Sequence, residues 1–182
     1  MRIEVYFRGE PDKFPFYDLV SSVANSIKGH LESSPLLHTS DEPTSKKIRF
    51  LMDEFFSRHN WIRDFKVDSS IPESEPNTNY KLDAIKDIET ESNVTLRLLF
   101  ESCFDNRQAI GTNLLKFAVA KREYKGNSRV SPQPILLVAD KSNLRKYGWD
   151  GSIASFEEYE LAIRDPYAEI LELSPIFLVI RD

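Results

Sequence analysis

A chain of 182 residues with 41% apolar and 29% charged side chains has the composition of an ordinary globular protein, long enough to bury a core within one domain, residues 1–182. Its single cysteine, Cys103, excludes an internal disulfide framework and any cysteine-rich metal site, which fits a reducing compartment. The net charge of −5 argues against attraction of nucleic acid by bulk charge, but the charge is uneven: eight basic residues face two acids from Leu114 to Lys146, whereas eight acids face two arginines from Asp150 to Asp182. Such a basic block serves either to track a phosphate backbone or as a solvated helix face with loops.

Arg2 to Phe7 alternates apolar and polar residues, as a half-buried strand does. The same N-terminal stretch has no long apolar run, so no secretory signal is expected. No apolar run reaches the roughly 20 residues that span a bilayer, so no membrane partner is expected and the cytoplasm is the expected location. Val20, Val23, Ile27 and Leu31 recur at helical spacing and predict a helix over Tyr17–Leu31. A loop follows over Ser33–Glu42. Ile48, Leu51, Met52 and Phe55 predict a second helix over Ser45–Arg58. Trp61–Val67 reads as a strand, and Ser69–Asn79, with its prolines and hydroxyl residues, as a loop.

Tyr80–Ile88 reads as a strand, Glu89–Asn93 as a polar turn, and Val94–Phe100, continuing into Glu101, as a central strand covered on both faces. Arg107–Glu123 is predicted helical, with Ile110, Leu114, Phe117 and Ala118 on one side. Gly126-Asn127 marks a turn and Pro134–Ala139 a buried strand. A short helix is expected over Asn143–Tyr147, ending at Gly148. Ser155 with Glu158 is a capping box opening another helix, which Pro166 should end or kink, and Ile176–Ile180 is a last strand. The order β-α-α-β-β-β-α-β-α-α-β predicts an α/β fold, a mixed central sheet flanked by helices.

Phosphate-loop, dinucleotide and nucleophile-elbow motifs are absent from the sequence, and His30, His38 and His59 show no metal-binding spacing. Cys103 has no neighbour in sequence that would activate it as a nucleophile. What remains is a carboxylate pair. Asp83 lies in one strand and Glu101 ends the next, with a short turn between, so a hairpin would converge the two acids at one end. Two hard oxygen ligands suit Mg²⁺, which keeps several waters and acts on phosphate esters. Read from the residues alone, the plainer reading of the pair is two surface acids at strand ends.

Glu101-Ser102-Cys103-Phe104-Asp105-Asn106-Arg107, followed by Asn113-Leu114-Leu115-Lys116-Phe117, resembles the active-site region of BglII-type restriction endonucleases, a group of the PD-(D/E)XK nucleases. The pattern is similar to E-x-[EQ]-[FW]-x-N with a Leu-Leu-Lys-Phe-like run on the next helix. Glu101 matches the leading acid, Phe104 the aromatic and Asn106 the asparagine, and Asp83 falls where the upstream acid lies. Arg2–Tyr6, Leu51–Trp61, Ser155–Leu161 and Ser174–Ile180 resemble further segments of that group, in the same order.

The resemblance implies a restriction-endonuclease-like fold and a Mg²⁺-dependent type II site-specific deoxyribonuclease, a hydrolase of phosphodiester bonds. Asp83 and Glu101 would hold the metal. It also implies a homodimer on a palindromic double-stranded DNA site and a cognate DNA methyltransferase encoded nearby. Cys103 stands where the family has Glu, Gln or Lys as the third catalytic residue. A mostly protonated thiol is a poor base and a poor Mg²⁺ ligand, so Lys116 on the following helix is the candidate substitute, its plainer reading being a solvent-facing lysine. Asn106, Arg107, Lys121, Arg122, Lys125 and Arg129 belong to or follow that helix and are the candidate DNA contacts, mostly to phosphate. Two other readings stay open: a nuclease fold that binds DNA without cutting it, and a protein-interaction domain of the immunity or phage-accessory kind, for which the acidic pI of about 5.3 speaks.

Overall fold

The computed structural model describes residues 2–8, 14–38, 44–67, 80–104, 106–146, 152–164 and 173–181. Along them run β1 (Arg2–Phe7), α1 (Tyr17–Glu32), a 3-10 turn (Pro35–His38), α2 (Thr44–Arg58), β2 (Ile62–Lys66), β3 (Lys81–Glu89), β4 (Thr95–Ser102), α3 (Ala109–Glu123), β5 (Val130–Ala139), α4 (Lys141–Lys146), α5 (Phe156–Ile163) and β6 (Ile176–Arg181). The order is the expected one, with the 3-10 turn inside the expected Ser33–Glu42 loop. The loop at Ser69–Asn79, the helix stop at Gly148 and the break at Pro166 lie outside the described residues.

The six strands form one mixed sheet in the order β1-β6-β5-β4-β3-β2. β4, β5 and β6 are parallel, and β3 pairs antiparallel with β4, as β2 does with β3 and β1 with β6. The parallel neighbours are joined by crossovers that contain helices, which is what parallel pairing demands. Alternate side chains enter two cores. Ile135, Leu137, Ile176, Leu178 and Ile180 meet α1 and α2 on one face, where Val20, Ala24, Ile27, Leu31, Ile48, Leu51, Met52 and Phe55 are buried. Leu136, Val138, Phe177 and Val179 meet α3 and α5 on the other, against Leu114, Phe117, Phe156 and Tyr159. Strands buried on both faces read as near-continuous apolar runs, the pattern that β4, β5 and β6 carry.

Several expectations change in detail. On α1, Ala24 is buried and Val23 is only half-buried. On α3, Asn113, Lys116 and Ala120 join Leu114 and Phe117 inside, while Ile110 and Ala118 are half-buried. β5 begins at Val130, before the expected Pro134. Thr95 N donates to Arg129 O and Cys103 N to Leu137 O, so the odd-numbered residues of β5 face β4. Pro132 and Pro134, which have no N–H to donate, face the β6 side. β6 joins only at Ile176 opposite Ile135, so no ladder bond is lost. Among the described residues, no helix is long and apolar enough to cross a membrane.

Candidate active site

The β3–β4 ladder is regular from Glu89 opposite Thr95 to Ala84 opposite Phe100. One step further Asp83 and Glu101 face each other, and there side chains take over from the backbone. Asp83 N donates to Glu101 Oε2 at 3.1 Å, and Ser102 N donates to Asp83 Oδ2 at 2.7 Å. The Ser102 hydroxyl also donates to Asp83 Oδ2, and Lys116 Nζ forms an ion pair with Glu101 Oε1. The hairpin therefore brings the two sequence-predicted acids to one point, and α3 lays Lys116 on them. Lys116 is 9% exposed and Glu101 2%, so this lysine is not the solvent-facing one of the plainer reading.

β2 is distorted at the same level. Arg63 pairs with Ala84 and Phe65 with Leu82, while Asp64 between them has φ 51°, a left-handed conformation that Asp adopts more readily than most residues. Arg63 and Asp64 consequently both face a cleft of about 550 Å³ whose floor is Asp83, Glu101, Ser102 and Lys116. α2 supplies Arg49, Asp53 and Phe56 to its wall and β3 supplies Lys81. Arg63 Nη2 pairs with Asp53 Oδ1 at 2.8 Å.

Burial, and then the adjacent Asp83 charge, raise the Glu101 carboxyl to about 7, and the Lys116 ammonium only partly offsets them. Two carboxylates this close repel each other, and one ammonium leaves room for further positive charge. Among the described residues no group of three His, Cys, Asp or Glu side chains could hold a metal ion. Mg²⁺ does not need one: it accepts one or two carboxylates and completes its shell with water and substrate oxygen. The hard oxygen donors of Asp83 and Glu101 at the floor of an open cleft fit that pattern.

The other sequence-predicted residues are placed elsewhere. Cys103 is fully buried in the core beneath α3 and α5, and does not line the cleft. Burial and the Glu101 charge push its thiol well above its ordinary pKa, which removes thiolate character. Asn106 Oδ1 accepts from Gln108 N, and Arg107 pairs with Glu158 Oε1 at 2.5 Å; neither lines the cleft. α3 runs back along the sheet from the carboxylate end. Its C-terminus is anchored where Arg97 binds Asp87 and donates to the Tyr124 hydroxyl. Arg129, whose carbonyl accepts from Thr95 N, therefore sits at the start of β4, six residues or about 20 Å from Glu101, and Lys121, Arg122 and Lys125 lie at and just beyond the C-terminal end of α3 without lining the cleft.

The cations that do border the cleft are Arg49, Arg63 and Lys81, together with Lys116. Sequence reasoning missed the first three because they converge from separate elements with no shared motif. Ser102 was legible in principle, since it is the residue whose amide follows the strand-ending Glu101. Neither a protein-family model nor a curated protein sequence matches the chain.

Proposed function

We propose that the protein is a Mg²⁺-dependent endonuclease that hydrolyses double-stranded DNA in the manner of the BglII-type restriction enzymes it resembles. The observation that carries this reading is the meeting of Asp83, Glu101 and Lys116 on the floor of an open cleft. Asp83 and Glu101 would hold Mg²⁺, which when bound neutralises phosphate charge and makes a water more acidic. Ser102 fixes the Asp83 carboxylate through its amide and hydroxyl, so that oxygen is pre-oriented before substrate arrives. Lys116 places a positive charge beside Glu101, where a phosphodiester gains negative charge during in-line attack. In this reading Lys116, and not the buried Cys103, is the third catalytic group. Phosphate contacts fall to Arg49, Arg63 and Lys81 around the cleft, in place of the lysines and arginines at the far end of α3. Site specificity, a homodimer matched to a palindrome, a cytoplasmic location and a partner methyltransferase belong to the same proposal.

Incubation with mixed-sequence plasmid DNA and Mg²⁺ tests it. Discrete fragments are expected from the wild type and none from Asp83→Ala or Glu101→Ala. A smear points to a nuclease without site preference. Retention of salt-dependent DNA binding with no cleavage in Mg²⁺ or Mn²⁺ points to a binding protein and sinks the enzymatic reading.

A further inference from the structure

The proposed chemistry leaves two buried polar side chains unused. Asn113 of α3 is 2% exposed and Tyr159 of α5 is 1% exposed, and they meet in the core beneath those helices, beside Leu114, Phe117, Phe156 and Ile163. Asn113 Nδ2 donates to the Tyr159 hydroxyl at 2.9 Å. The hydroxyl keeps its own proton to donate, and it bonds the Cys103 thiol. The thiol in turn donates to Glu101 O at 3.7 Å. The chain of donors therefore runs in one direction, from α3 through α5 to the backbone of β4 at Glu101.

An apolar pair would be buried here at lower cost, because no polar group would leave water. What the polar pair adds is direction. Apolar burial is non-directional and tolerates rotation or sliding of one helix on another. A hydrogen bond between two buried partners penalises every register in which they miss each other.

That register matters for Lys116. It follows Asn113 by three residues, so the two side chains leave the same face of α3 about one turn apart. With Asn113 on Tyr159, Lys116 falls on Glu101 Oε1. α5 is itself fixed to the sheet, since Ser155, about one turn before Tyr159, bridges to Ala139 at the end of β5 and caps the helix. A slip of α3 by one turn moves its side chains by about 5.4 Å, which takes the ammonium out of reach of the carboxylate.

We propose that Tyr159 is a positioning residue: its hydroxyl holds Asn113, and through it the register of α3, and so sets Lys116 on the Glu101 carboxylate. Cys103 accepts the hydroxyl proton and is dispensable, because Asn113 keeps its acceptor without the thiol. The consequence for cleavage rests on the nuclease reading; the consequence for the place of Lys116 does not.

Reductive methylation of the folded protein, followed by peptide mass spectrometry, reads that place directly, with the exposed Lys46 and Lys141 as internal references. Lys116 is expected to react slowly in the wild type and about fivefold faster, relative to the references, in Tyr159→Phe, the protection that one net buried hydrogen bond provides. Asn113→Leu combined with Tyr159→Phe replaces both polar partners. It is expected to recover the urea stability that the single variant loses and to keep Lys116 reactive. Ile27→Val, in the core on the opposite face of the sheet, lowers stability without touching α3 and should leave Lys116 as it is in the wild type. In single-turnover cleavage with Mg²⁺, Tyr159→Phe is expected to be roughly tenfold slower at saturating enzyme, with DNA affinity measured without Mg²⁺ unchanged. Wild-type protection of Lys116 in folded Tyr159→Phe and in the double variant overturns the proposal, as does equal reactivity of Lys116 in Ile27→Val. A slower reaction that weaker DNA affinity accounts for overturns it too. A wild type that cuts no DNA refutes the nuclease reading alone, because the methylation is read without DNA.

Discussion

Glu101 carries the strongest perturbation in the cleft. Its carboxyl titrates at about 7 in the native chain against an ordinary 4.5. The native state thus holds this proton more tightly than the unfolded state does. The stability it contributes is complete below about pH 4.5 and is lost as the pH rises through 7, by an amount on the order of 3 kcal/mol. In the absence of Mg²⁺, denaturant midpoints should therefore fall between pH 5 and pH 8 for the wild type and fall much less for Glu101→Gln. Parallel falls in the two proteins would show that Glu101 is not the group responsible. Mg²⁺ should raise the wild-type midpoint at pH 8 and leave Asp83→Asn where it was, since a ligand stabilises only the state that binds it. Cys103 and Lys116 separate on the same scale. Cys103→Ala removes a buried sulfur, is expected to cost about 1 kcal/mol, and should leave the cleavage rate within a few-fold. Lys116→Met keeps the bulk and loses the charge, and a drop of roughly 100-fold or more in single-turnover cleavage is expected. The reverse order of effects would return the third catalytic role to Cys103.

At the scale of elements, α3 and α5 are what hold Lys116 over the carboxylates. Asn113, one turn before Lys116, donates to the Tyr159 hydroxyl of α5 at 2.9 Å. α5 is in turn started by a complete capping box: the Ser155 hydroxyl accepts from Glu158 N and the Glu158 carboxylate accepts from Ser155 N at 2.9 Å. Arg107 pairs with the same Glu158, which ties the segment before α3 to the start of α5. Ser155→Ala should lower unfolding free energy by about 1 kcal/mol, measured in urea, without a change in slope. A neutral result would mean that packing of Phe156 and Tyr159 sets this helix start by itself. The capping box was legible in the sequence because its four residues are local. The Asn113–Tyr159 contact was not, because it joins positions 46 residues apart.

For the whole molecule, the carboxylate cleft lies at one end of the β3–β4 hairpin, and Arg129, whose carbonyl accepts from Thr95 N, lies at the other. If DNA lies along the cleft, Arg49→Ala with Lys81→Ala should weaken binding and reduce the slope of log affinity against log salt by about two. An unchanged slope would move the phosphate contacts away from the cleft.

The sequence by itself determined the order of the elements and the double-sided burial of β4, and it offered the meeting of Asp83 and Glu101 at one hairpin end as one of two readings. Each of these follows from local periodicity or from a hairpin with a short turn, where chain separation is small. Only the tertiary structure decided the rest. The 18-residue separation of the acids is bridged by one hairpin, but Arg49 and Arg63 reach the cleft from elements whose position depends on packing against the sheet. α3 turns back along β4, and this carries its C-terminal basic residues, and Arg129 beyond them, away from the site that Lys116 reaches. Cys103, two residues after Glu101, goes inward with the core face of the strand end, while Lys116, fifteen residues away, comes to the carboxylates. Proximity in sequence sets an element's face; which groups meet at a site is set by how the faces stack, and that is a property of the packed whole.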